Sequence, residues 1–201
     1  MKKNHMTEAK ISRREQILQT LMQMLQEQSL SRITTAALAR EVGVSEAALY
    51  RHFASKAKIF EGLIDFIEDT LFARTKLIQQ QELPALAQCQ QMLTLLLTLV
   101  ERNPGLCRLL TGEALLGEKE RLGNRINQLF DKLETQLKQT LRDAELKAGQ
   151  RTSDTPSTCA NLLMAAAEGR IRQFSRSGFR HKPTHAWEDQ WQLLSAQIMR
   201  P

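Results

Sequence analysis

Glycine and proline are scarce in this 201-residue chain, nine and five respectively, tyrosine occurs once and valine is rare. Strands favour β-branched and aromatic residues punctuated by turn formers, so almost no sheet is expected. No stretch approaches the roughly 18 unbroken apolar residues of a membrane span. The N-terminus also lacks the apolar run of an export signal, so the expected location is the cytoplasm. Cysteine is limited to Cys89, Cys107 and Cys159, odd in number and far apart among apolar residues. They read as buried free thiols in a reducing compartment, in preference to a disulfide or metal set. His181 and His185 stand four apart, but Pro183 lies between them, and no metal site is expected. A Gly-rich phosphate loop and a nucleophile with an evident base are also missing, so neither an enzyme nor a cofactor is expected.

Leu, Gln, Ala, Glu, Arg and Lys dominate instead, all good helix formers. The length allows one large helical domain, or a small head joined to a larger body. Charge distinguishes the two ends: residues 1–60 hold ten Lys or Arg against five Glu and no Asp, which is +5 of the total +6. A basic block beside a nearly neutral body suits contact with a polyanion, of which nucleic acid is the commonest, or a solvated basic face.

Residues 1–10 are polar without apolar periodicity and read as a flexible basic arm. From Arg13, Ile17, Leu18, Leu21, Met24 and Leu25 recur at helical spacing. Short helices are expected near Thr35 to Glu41 and Ser45 to Phe53, followed by a long one from Ser55 to about Gln80. Pro84 suits the first turn of the next helix, which stops at Asn103-Pro104, and a short helix follows to about Thr111. Leu122, Ile126, Leu129, Leu133, Leu137 and Leu141 form a stripe that reads as one strip of a packed bundle, with a coiled coil as the alternative. The polar linker from Gly149 to Pro156 is expected to be the loosest part of the body. Leu162, Leu163, Ala166, Ile171 and Phe174 mark one more helix. Trp187, Trp191, Leu194 and Ile198 mark the last.

The informative segment is ITTAALAREVGVSEAALYRHFASK, residues 33–56. Thr34 or Thr35 can cap a short helix, Gly43 falls where a helix ends in a left-handed residue, and Ser45 can cap a second helix. Helix, tight turn, helix is the geometry that lays a second helix into the major groove. Ser45, Glu46, Ala47 and Ala48 are small or polar enough for close approach to base edges. Tyr50, Arg51, His52 and Lys56 offer donors to phosphate, as do Thr34 and Thr35 at a helix start. A helical hairpin without a DNA role is the alternative.

GVSEAALYRHFASKAKIF, placed some 25 residues after the start of a first helix, resembles the TetR family. The resemblance implies an all-α chain: a three-helix helix-turn-helix DNA-binding head at residues 11–54, and a six-helix dimerisation and partner-binding body at 55–201. ITTAALAREVGVSEAALYRHF, FIEDTL, ERNPGL, LLTGEALLG and RINQLF resemble the family's nucleoid occlusion branch. One departure is Ala54, where such proteins usually carry proline. That resemblance implies a homodimer on palindromic double-stranded DNA, with one or more dimers per site. It also implies a nucleoid-associated location and antagonism of the tubulin-like division protein FtsZ, whose acidic C-terminal tail lies between the fourth and fifth helices. The matching groove positions are Phe66, Arg74, Leu95, Arg102 and Asn103. The last two helices should pair with their two-fold mates, with Ala166, Gly169, Phe174, Trp187, Trp191 and Leu194 in the interface.

A ligand-responsive TetR-type repressor remains the alternative. Met92, Phe130, Leu133 and Phe174 would then line an apolar cavity of several hundred Å³, the size typical of ligand sites.

Overall fold

Ser12 opens the first helix with a reciprocal cap. Its hydroxyl accepts from the Glu15 amide, while the Glu15 carboxylate accepts from the Ser12 amide at 2.8 Å. These bonds hold the Glu15 carboxyl below its ordinary range. Helix α1 (Arg13–Glu27) then buries Ile17, Leu18, Leu21, Met24 and Leu25 along one stripe. The computed structural model describes residues 11–115 and 120–200, so the basic arm expected at residues 1–10 lies outside the described residues.

Among those residues the chain is all-helical. Helices α2 (Thr35–Val42) and α3 (Glu46–His52) pack with α1 as a small head, and α4 (Lys56–Gln79) leads out of it. The body continues with α5 (Ala85–Arg102), α6 (Pro104–Leu110), α7 (Glu120–Ala148), α8 (Pro156–Arg176) and α9 (Trp187–Ser195). None of the described helices is long and apolar enough to cross a membrane.

Pro84 occupies the cap before α5, one position earlier than expected, with φ −54° and ψ 145°. Its ring fixes φ but leaves ψ extended, so the helix begins at Ala85. At the other end, the Asn103 side-chain amide turns back and donates to the Leu99 carbonyl at 2.8 Å, and Pro104 starts α6. The α7 stripe, Leu122 to Leu141, is buried against α4, α5 and α8 of the same chain, as one strip of the bundle. Cys89, Cys107 and Cys159 are free and buried, and burial pushes the Cys89 and Cys107 thiols up to about 12.

The linker between α7 and α8 is not the loose segment its composition implies. Thr152 is buried, and its amide and hydroxyl both donate to the Glu145 carboxylate, at 3.1 and 2.6 Å. Its neighbours pair with the end of the chain: Ser153 donates to the Ile198 carbonyl at 2.9 Å, and Arg200 to the Arg151 carbonyl at 2.8 Å. Ile198 and Arg200 are remote in sequence, where local polarity cannot reveal them.

The head meets the body through two glycines. Gly62 of α4 lies beneath the Phe53 ring, and a Cβ there would stand 2.8 Å from a ring carbon. Gly105 of α6 rests on the backbone of α1, where a Cβ would lie 2.1 Å from the Met22 carbonyl oxygen. Backbone cannot yield as a side-chain tip does, so Gly105→Ala is expected to lower stability by about 1–3 kcal/mol. Gly123→Ala in α7, with nothing within 4 Å of the added carbon, should be neutral or raise stability by up to about 1 kcal/mol. Urea denaturation at matched protein concentration checks both.

Candidate nucleic-acid interface

Both short helices of the head are closed by local devices. The Thr34 hydroxyl accepts from the Ala37 amide at 3.1 Å and caps α2. Gly43 ends that helix with φ 76° and ψ 36°, a left-handed conformation that costs a residue with a Cβ about 1–2 kcal/mol. The turn is completed by Val44 donating to the Ala39 carbonyl at 2.9 Å and Gly43 to the Arg40 carbonyl at 3.1 Å. Two residues on, the Ser45 hydroxyl accepts from the Ala48 amide at 3.1 Å and starts α3.

Helix α3 is then held from beneath. Leu49 is wholly buried, and the Phe53 ring is clamped between Gly62 and Arg14, whose guanidinium carbon lies 4.2 Å from the ring centroid. Arg14 also donates to the His52 carbonyl at 3.4 Å, next to the end of α3. Arg14 belongs to the polar face of α1, and its spacing carried no hint of this role.

With its anchors buried, α3 turns Ser45, Glu46, Ala47, Tyr50, Arg51 and His52 to solvent, and Ala48 is half-buried. The Tyr50 hydroxyl lies 3.4 Å from that of Thr35. Thr34, Thr35 and Lys56 line one small cleft of about 10 Å³, and the Lys56 ammonium stands 5.7 Å from the Phe60 ring centroid. The structure therefore brings hydroxyls, a cation and the start of α2 together at one edge of a helix whose first turn presents Ser45, Ala47 and Ala48 beside Glu46. Donors flanking a low ridge have the layout that lets phosphates be gripped while base edges are approached.

The groove positions lie on α4, α5 and the turn after α5, elements that pack together. Phe66 is 41 % exposed on α4, Arg74 and Arg102 are exposed, and Leu95 is partly buried against the core. Asp65 and Glu68, which flank Phe66, both accept from Arg125 of α7, at 2.9 and 2.8 Å. These two acids raise the Arg125 pKa above its usual value. Arg121 pairs likewise with Glu61. Asn103 is committed to the Leu99 carbonyl, so its amide group holds the end of α5.

The dimer assignments divide. Ala166, Gly169 and Leu194 are half-buried. Phe174, Trp187 and Trp191 are only 2, 4 and 3 % exposed inside their own protomer. Trp187 donates to the Thr94 hydroxyl at 2.8 Å and meets Trp191 with ring centroids 5.9 Å apart. Such side chains have almost no area left for a second subunit. On α8 and α9 the exposed apolar surface belongs to Leu162, 50 % exposed although it stands in the stripe read from the sequence, and to Leu193, 76 % exposed and off its stripe. Only Leu193 carried a signal in the sequence, as a leucine on the side of its helix away from the core stripe.

Two family descriptions match the chain. "Bacterial regulatory proteins, tetR family" covers residues 17–63, and "Tetracyclin repressor-like, C-terminal domain", of the SlmA-like type, covers residues 84–199. The chain is 55 % identical over 194 residues to the nucleoid occlusion factor SlmA of Marinomonas sp. (strain MWYL1), covering 96 % of this chain and 98 % of that protein. It is 56 % identical over 194 residues to the SlmA of Shewanella denitrificans, with the same coverage. Among solved structures, the transcriptional regulator FadR from Bacillus subtilis in complex with stearoyl-CoA has the same fold. The TM-score is 0.76 and the identity 13 %, over 89 % of this chain and 96 % of that one.

Proposed function

This chain belongs to the TetR family of bacterial regulatory proteins, within it to the nucleoid occlusion factors, and from that premise we propose how it reads DNA and how it acts on division. Two α3 helices, related by a two-fold axis, enter successive major grooves of a palindromic chromosomal site. Ser45, Glu46, Ala47 and Ala48 approach base edges. Thr34, Thr35, Tyr50, Arg51, His52 and Lys56 hold phosphates. The observation that carries this reading is the outward face of α3, on the end of the chain that holds +5 of its net charge. Position on the nucleoid follows from binding its DNA.

The DNA-bound dimer antagonises FtsZ, so that no septum closes over the chromosome, and the acidic, apolar FtsZ tail lies between α4 and α5. Phe66 and Leu95 offer apolar contact, and Arg74 and Arg102 meet carboxylates. Asn103 keeps the end of α5 in shape. Pairing of Asp65 and Glu68 with Arg125 supports this, because the one guanidinium offsets part of the negative charge that would otherwise repel such a tail. The dimer forms through the outer faces of α8 and α9, where Leu162 and Leu193 flank Ala165, Ala166, Gly169 and Leu194. Small residues let paired helices approach, and a crevice of about 410 Å³ already runs along this face.

The filled body favours this reading over a ligand-responsive repressor. Met92 and Leu133 are wholly buried, Phe174 nearly so, and Phe130 packs against the same core. A described space of ligand size, about 550 Å³, is instead an open crevice whose walls mix Gln79, Gln88, Gln139 and Asp143 with Leu83, Pro84, Ala85 and Ala144.

Arg51→Ala should weaken binding to all duplexes and reduce the slope of log affinity against log salt by about one unit; an unchanged slope removes the phosphate assignment. Arg74→Asp is expected to keep DNA affinity but lose capture of an FtsZ tail peptide and FtsZ antagonism, and a variant that retains all three defeats the groove. Leu193→Glu should sediment as a monomer in analytical ultracentrifugation, while a persistent dimer would move the interface elsewhere.

A further inference from the structure

Arg108 sits in α6, yet its hydrogen bonds are made to α1. Both hydrogens of its Nη1 are donated, to the carbonyls of Leu25 and Gln28, each at 2.8 Å. These acceptors lie at the end of α1, which has no basic residue in its own last turn. A cation at that position satisfies open carbonyls and complements the negative end of the helix dipole. One turn earlier along α6, Gly105 rests on the Met22 carbonyl. Helix α1 is thus gripped by α6 at its middle and at its end.

The same guanidinium also lies over the ring of Phe179, 5.2 Å from its centroid. Phe179 follows α8 with φ 65°, a left-handed conformation that a bulky residue adopts only where its surroundings dictate it. Those surroundings are the hydrogen bond its N–H donates to the Phe174 carbonyl at 2.9 Å, the Phe174 ring at 5.2 Å, and Arg108 itself. Arg108 therefore touches the first helix of the head and the end of α8, whose outer face carries the dimer assignment made above. The covalent route from head to body runs through the start of α4, where Gly62 packs under Phe53, and contacts confined to that one point resist rotation about it only weakly. The contact through α6 opposes it.

We propose that Arg108 is a positioning residue for DNA recognition: by tying α1 to the Phe179 end of α8, it sets the separation and tilt of the two α3 helices, and hence the half-site spacing the dimer accepts. This rests on the DNA reading and the α8–α9 dimer proposed above.

The test uses the full-length dimer. Palindromic duplexes are enriched from a random pool by the unaltered protein, then remade with one or two base pairs inserted or deleted at the centre. Each base pair turns the second half-site by about 35° and displaces it by about 3.4 Å. The unaltered protein is expected to lose about tenfold in affinity or more at the first inserted base pair, the scale of losing one base contact. In Arg108→Ala that penalty should fall to about threefold or less, even though binding at the original spacing weakens. General destabilisation lowers binding to every duplex alike and leaves the ratio unchanged, so the ratio isolates positioning. Arg108→Ala that keeps the full penalty overturns the proposal. If that variant does not fold, Phe179→Leu is read in its place: a reduced penalty supports the tie, and an unaltered one overturns it. Failure of the unaltered protein to enrich any duplex sinks the DNA reading itself, and this inference with it, which is distinguishable from a spacing penalty that Arg108 does not affect.

Discussion

A helix of seven residues has no stability of its own in water, because nucleation costs more than so few hydrogen bonds return. Everything proposed for α3 therefore depends on what holds it from below. Leu49 supplies the apolar anchor, and Phe53 is fixed by Gly62 and Arg14. Ser45 and the Gly43 turn set where the helix starts and in which direction it leaves α2. With one face so constrained, the opposite face is left bare, and the side chains on it are free to be chosen for DNA rather than for folding.

The body meets a different demand, since on the proposed reading the same few helices serve a core, a partner and a second subunit. Helix α4 shows how the surfaces are divided. Its stripe of Ile59, Phe60, Leu63, Ile64, Ile67 and Leu71 is buried, while Phe66 and Arg74 remain outside that stripe. Ion pairs from α7 to Glu61, Asp65 and Glu68 secure the acidic flank of the same helix. Helices α8 and α9 divide in the same way, tryptophans inward and Leu162 and Leu193 outward. Among the described residues Met92, Leu133 and Phe174 are spent on the core, and the surfaces of the body and its joint with the head carry the side chains left over for other contacts.

That joint is built from close backbone approach and a few directed bonds. Gly105 permits contact between α6 and α1 that no other residue allows, and Arg108 gives that contact a direction. Both belong to a short helix whose sequence, PGLCRLL, shows no periodic feature that marks it as a hinge or a brace.

Much of this protein was legible before any coordinates. Apolar spacing gave the helices and their buried faces, because a period near 3.6 residues is imposed by the backbone itself. Capping hydroxyls and Gly43 gave the turn between α2 and α3, since those residue types relieve a local constraint wherever it occurs. The ten candidate DNA residues fall on or beside one exposed surface for the same reason: they are close in sequence and lie within two short helices and their flanks. What the tertiary structure decided are the contacts between residues far apart in the chain. Trp187 and Trp191 bury against α5 and each other, the linker at Thr152 is tied by Ile198 and Arg200, and Arg14 and Arg108 cap helices other than their own. Periodicity tells which side of a helix is apolar, but whether that side meets its own chain or a neighbour is set by the packing of the other helices, which no local pattern encodes.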